Sequence, residues 1–123
     1  MRIDWSKEVE FIPPWNGNEN LPETAQLKAK LHLLDVYEWV AVKEAIKEQA
    51  GDQPEGIFTP SFEQEKFLIN QVGKYVEKHT KLTGNDNYTI EDVVKYPQFT
   101  TLAVLILFEL IRVSAPKEQD VKN

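Results

Sequence analysis

The stretch from Phe99 to Ala115, FTTLAVLILFELIRVSA, limits the possible folds of this chain most, because ten of the twelve residues from Leu102 to Val113 are apolar. The first seven of these, Leu102 to Phe108, run without a polar break, so a helix built from them is apolar on every side and needs cover all round. Thr100 or Thr101 can cap its start, Pro97 lies just before it, Glu109 and Arg112 can pair three residues apart, and Pro116 stops it. A bilayer crossing needs about 20 apolar residues, and here Glu109 and Arg112 intervene. Burial in protein is the expected outcome, with each large side chain contributing about 1.5–3 kcal/mol. The helix is then either the central post of a small domain or partly covered by another subunit or a client.

At 123 residues the chain has material for one modest core. Within it we expect a β-hairpin arm over residues 1–34, a helical core over 35–115 and a polar tail over 116–123. A net charge of −6, from 20 acidic and 14 basic side chains, argues against a general phosphate-binding surface and hence against nucleic acid. The absence of cysteine excludes disulfides, thiolate chemistry and zinc–cysteine sites. The first residues, MRIDWSKEVEF, lack the apolar core of a signal peptide, so secretion is not indicated and Asn87-Tyr88-Thr89 is read as a chance sequon. No repeat or low-complexity tract divides the chain.

Ile3, Trp5, Val9 and Phe11 fall on odd positions between polar residues, the period of a half-buried strand. Pro13-Pro14 forces an extended exit, and Trp15 to Asn20 has the composition of a turn. From Ala25 to Leu33 the alternation is stricter and gives a second strand; the competing reading is one helix from Glu23 to Ala50, which would scatter those apolar residues around its axis. Asp35-Val36-Tyr37-Glu38 has the form of a capping box and opens a helix to about Ala50, with Val36, Trp39, Val40 and Ile46 as its apolar face. Gly51 to Pro60 is a loop that Ile57 and Phe58 should tether to the core. Ser61 to Gln64 offers a second capping box, before a long amphipathic helix carrying Phe67, Leu68, Val72, Tyr75, Val76 and His79. Gly73 within that helix fits a close approach of another element. Gly84 to Asn87 forms a turn, and Thr89 caps a short helix through Val94. The fold class is α+β and mainly helical: an N-terminal β-hairpin arm followed by about four helices.

Reaction chemistry is thinly supplied. His32 and His79 are the only histidines and sit in no His-Glu-x-x-His arrangement; we place His32 on the polar side of a strand and His79 at a helix C-terminus, where positive charge is favourable. Glu63/Glu65 and Glu91/Asp92 have spacings that point apart on a helix. The series from Asn85 to Glu91 resembles a calcium loop but lacks glycine at its sixth position and has Tyr96 at its twelfth. No phosphate loop, dinucleotide fingerprint or nucleophile elbow is present. We therefore expect no enzyme, no catalytic or metal site and no cofactor. Trp5, Trp15 and Trp39 serve either as core or as interface anchors, and the apolar helix offers the same choice.

Read end to end, the chain resembles the small tail assembly chaperones of long-tailed phages and prophages. The residues concerned are Val9-Glu10-Phe11, the Pro-Trp-Asn-Gly-Asn loop at Pro14 to Asn18, the leucine-alternating strand from Leu27 to Leu33 and the helix start Leu34-Asp35-Val36-Tyr37-Glu38. Further along are Ile-x-Asp-Val-Val at Ile90 to Val94, Pro-x-Phe-x-x-Leu at Pro97 to Leu102, the Glu-Leu-Ile helix at Glu109 to Ile111 and the ending Lys122-Asn123. The departure is a last helix more apolar through Leu105 to Phe108 than the family's, followed by Pro116-Lys117. The resemblance implies a homo-oligomeric, non-enzymatic assembly factor in the host bacterial cytoplasm. It would coat the tape measure protein and help recruit tail-tube protein, away from nucleic acid and membrane. The interface expected is Trp5, Trp15, Trp39, Phe67, Leu105, Phe108, Leu110 and Ile111. Two other readings stay open: a structural head–tail connector or tail-completion subunit, and a small acidic regulatory adaptor.

Overall fold

The computed structural model describes residues 8–53, 58–85 and 87–115. Four helices, α1 (Val36–Ala50), α2 (Phe62–His79), α3 (Ile90–Lys95) and α4 (Thr100–Ser114), pack with a three-stranded antiparallel sheet of β1 (Val9–Phe11), β2 (Lys28–Leu31) and β3 (Thr80–Thr83). The architecture is α+β and mainly helical. Trp5 and the first half of the expected first strand lie outside the described residues, as do Ile57 and the tail from Pro116.

The sheet contains the expected N-terminal hairpin, β1 with β2, and adds a third strand to it. Its order is β1-β2-β3, with Val9 opposite Leu31, and Lys28 opposite Thr83. The second strand is therefore the middle of the sheet and shares the helices' core through Leu27, Ala29 and Leu31. It is also shorter than its alternation implies: Ala25 belongs to a 3-10 turn (Glu23–Ala25), and Leu33 is exposed. Asn18 explains how the connection is held. Its buried side-chain amide donates to the carbonyls of Pro13 (3.0 Å) and Leu27 (2.9 Å), and its Oδ1 accepts from the Leu27 N–H at 2.7 Å. Gly84 leaves β3 with φ +81°, where a Cβ would collide with the Gln26 carbonyl.

Three helix starts form as their sequences dictate, each closed by a reciprocal pair of hydrogen bonds: Asp35 with Glu38, Ser61 with Gln64, and Thr89 with Asp92. The start of α4 differs from expectation. A 3-10 turn (Pro97–Phe99) runs directly into it, Thr100 is already helical, and no side chain caps it. α4 is nonetheless the central post: Leu102, Ala103, Ile106, Leu107 and Leu110 are fully buried, chiefly against α2. By length and composition Pro97–Ser114 could cross a membrane, but these side chains are occupied by the core. Gly73 is buried where α3 packs, but a Cβ there would meet Val94 of α3 at an ordinary 3.7 Å, and its tight neighbour, at 3.0 Å, would be the Ile69 side chain of α2 itself.

Candidate functional site

α1 is turned in an unexpected direction. The residues it buries are Glu38, Val42 and Ala45, whereas of the expected apolar face only Trp39 and Ile46 pack against the core. Val36 is 60% and Val40 42% exposed, and Trp39 and Ile46 are only half-buried. The physical reason lies in its neighbours: α1 packs chiefly on α2 and then on α4, which together cover the Glu38, Val42 and Ala45 side and leave Val36 and Val40 outside.

That face lines one wall of a groove of about 850 Å³. Trp39, Val40, Ile46 and Ala50 come from α1, Phe108, Ile111 and Ala115 from the end of α4, and Phe58 from the loop between α1 and α2. The walls are fixed to each other. The Trp39 indole N–H donates to the Ile111 carbonyl at 3.2 Å, and the Leu34 N–H to the Ser114 hydroxyl at 2.9 Å. At the far end the Gln64 amide donates to the Gln49 carbonyl at 3.0 Å. Among the described residues that line it, the charged ones are Lys43, Lys47, Arg112 and Glu44. Lys43 holds its ammonium 5.5 Å from the Trp39 ring centre, and Arg112 pairs with Glu109 as the spacing predicts.

A polar network on the opposite face of α1 holds this wall in place. Glu38 Oε1 accepts from the Asp35 N–H at 3.0 Å and lies 3.0 Å from His79 Nε2, while Oε2 accepts from the Lys78 ammonium at 2.9 Å. Burial pushes the Glu38 carboxyl upward and is the largest single influence. The Lys78 ammonium, the Asp35 N–H and His79 together outweigh it, leaving the group at about 2 against an ordinary 4.5. His79 is accordingly more than a residue at a helix end. It is 3% exposed, its Nδ1 donates to the His32 carbonyl at 3.1 Å, and its own carbonyl accepts from the His32 N–H at 2.8 Å. The network thus ties α1, the end of α2 and His32, the residue after β2, together.

Other polar groups serve local structure. Asn85 accepts from the Asn87 N–H and donates to the Tyr88 carbonyl, closing its own loop. A shallower hollow of about 440 Å³ lies between Lys78, Lys81, Asn85 and Glu91. Among the described residues no three histidine, aspartate or glutamate side chains gather as a metal site.

Of the residues expected at an interface, the structure brings Trp39, Phe108 and Ile111 together in the groove. Leu110 is wholly buried in the core, and Leu105 is half-buried outside the groove lining. Phe67 is 57% exposed on α2 and stands apart from the groove. Trp15 packs internally, with ring centres 5.9 Å from Phe99 and 6.4 Å from Tyr88. Phe58 and the lysines of α1 were not among the residues expected at an interface. The signal for Lys43 and Lys47 was present, since they recur with Val36 and Val40 at helical spacing. Compared with protein-family models, curated proteins and solved structures, the chain matches none.

Proposed function

We propose that this chain is a tail assembly chaperone of a long-tailed phage. It keeps the tape measure protein soluble in the bacterial cytoplasm by covering apolar helical stripes, and it helps bring tail-tube subunits to that client. The observation that carries the reading is the apolar groove between α1 and α4, lined by Trp39, Ile46, Phe58, Phe108 and Ile111 and left open by the described residues. A groove of this shape suits an amphipathic helix laid along it, and an aggregation-prone client with repeated apolar stripes is the partner that needs such cover. The chain's −6 charge keeps the loaded complex in solution. Several copies spaced along one long client would act together, each by burial and none by bond-breaking.

Co-expression with the tape measure protein of the same genome tests this directly. The client should remain soluble and co-purify with the native chain. With Phe108→Asp it should sediment, while the variant itself keeps its helical circular dichroism and cooperative melt. A client equally insoluble with and without the native chain overturns the proposal. Presence of the chain in purified particles points instead to a structural tail component.

A further inference from the structure

We propose that Asn16 is a site of spontaneous covalent change, the asparagine of this chain placed to lose its side-chain nitrogen, and that the product loosens the link between β1 and β2. Asn16 is followed by Gly17, and no other asparagine in the chain precedes a glycine. The two form the middle of a tight turn closed by the Asn18 N–H on the Trp15 carbonyl at 3.0 Å, with φ +51° at Asn16 and +76° at Gly17. Both residues are exposed, and a Cβ at Gly17 would meet nothing within 4 Å. Neither the Asn16 side chain nor the Gly17 N–H bonds to a described group. Asn18, two residues on, is the opposite case: it is buried, its Oδ1 held by the Leu27 N–H and its Nδ2 by the carbonyls of Pro13 and Leu27. Asn85 likewise spends its side chain on its own loop.

At Asn16 the Gly17 main-chain nitrogen attacks the side-chain Cγ. A C–N bond forms, the Cγ–Nδ2 bond breaks, and the Gly17 amide proton leaves with the nitrogen as ammonia, so that a five-membered succinimide remains. The glycine exposes its nitrogen because no Cβ shields it, and turning the peptide plane for the attack gives up the bond that closes the turn. Water then opens the ring at either carbonyl. One product is aspartate; the other is isoaspartate, in which the main chain runs through Cβ and is one carbon longer. Both carry a carboxylate in place of a neutral amide. The added carbon displaces Asn18, whose bonds to Pro13 and Leu27 hold the connection between the two strands.

The full chain is held in warm, mildly alkaline buffer for several weeks, digested at acid pH so that digestion adds no change, and mapped by mass spectrometry with fragmentation. A gain of one dalton should appear first at Asn16, while Asn18 and Asn85 are still intact. N16Q, checked for folding by circular dichroism, should show no such early gain. The isoaspartate form, separated by chromatography, should melt about 4 °C or more below the fresh native chain. Freshly prepared N16D, which has the charge without the added carbon, should melt with the native chain. A gain that appears first at another asparagine, or at the same pace in N16Q, overturns the site. An isoaspartate form that melts with the native chain overturns the effect on the hairpin, and so does an N16D variant that melts as low as the isoaspartate form, since charge alone then accounts for the loss.

Discussion

Trp15 and Trp39 are both half-buried, and they sit toward opposite ends of α4 in settings that diverge. Trp15 is enclosed by aromatic partners: Phe99 at 5.9 Å and Tyr88 at 6.4 Å, which themselves pack at 4.6 Å. Trp39 shares its groove with Phe58, Phe108 and Ile111, and the group over its ring is a lysine ammonium. One end has found its cover within the chain. At the other, apolar area is held rigidly by a main-chain hydrogen bond and left facing outward. Similar residue types thus yield core at one place and an outward-facing apolar surface at another, according to whether the neighbouring described elements close over them.

The comparison breaks most readily at the closed end. Phe99→Ala should cost about 3–5 kcal/mol in urea denaturation, since a large, nearly buried ring is lost from a packed cluster; a cost near zero would mean that this end is as open as the other. Next in size is the attachment of α1. The Glu38 carboxyl lies lower in the folded chain than its ordinary 4.5, at about 2, so its contribution is complete above pH 4.5 and is lost as pH falls through that interval. Glu38→Gln should remove about 2–3 kcal/mol of stability at neutral pH and flatten the acid limb of the stability profile; an unchanged acid limb would exclude the network as the anchor of the groove wall. The smallest effect belongs to the open end. Phe108→Ala should cost about 1–2 kcal/mol, clearly less than a fully enclosed phenylalanine, and a loss equal to that of Phe99→Ala would make the groove ordinary core.

Much of the fold could be read from local rules. Capping pairs at Asp35, Ser61 and Thr89 mark their helices because both partners lie within one turn, and the apolar run of α4 demands a central place. Facing is another matter. Periodicity shows that Val36, Trp39, Val40 and Ile46 share a side of α1, but which side meets the core depends on what the rest of the chain has put there. The third strand was missed because Thr80-Lys81-Leu82-Thr83 contains one apolar residue and continues directly from a strong helix. Its pairing with β2 comes from a distant partner strand. Glu38 was legible as a capping residue, while its bond to Lys78, 40 positions away, was not.

The middle position of β2 bears on synthesis. A growing chain delivers β1 and β2 early, but β3 follows only after α2, and the post that fills the core comes later still. Until Leu102 to Leu110 have left the ribosome, the inward faces of Leu27, Ala29 and Leu31 have no lasting cover. Folding is therefore deferred until α4 has emerged, governed by contacts between remote segments. In that interval the nascent polypeptide carries oily surface that only its own later segments will close.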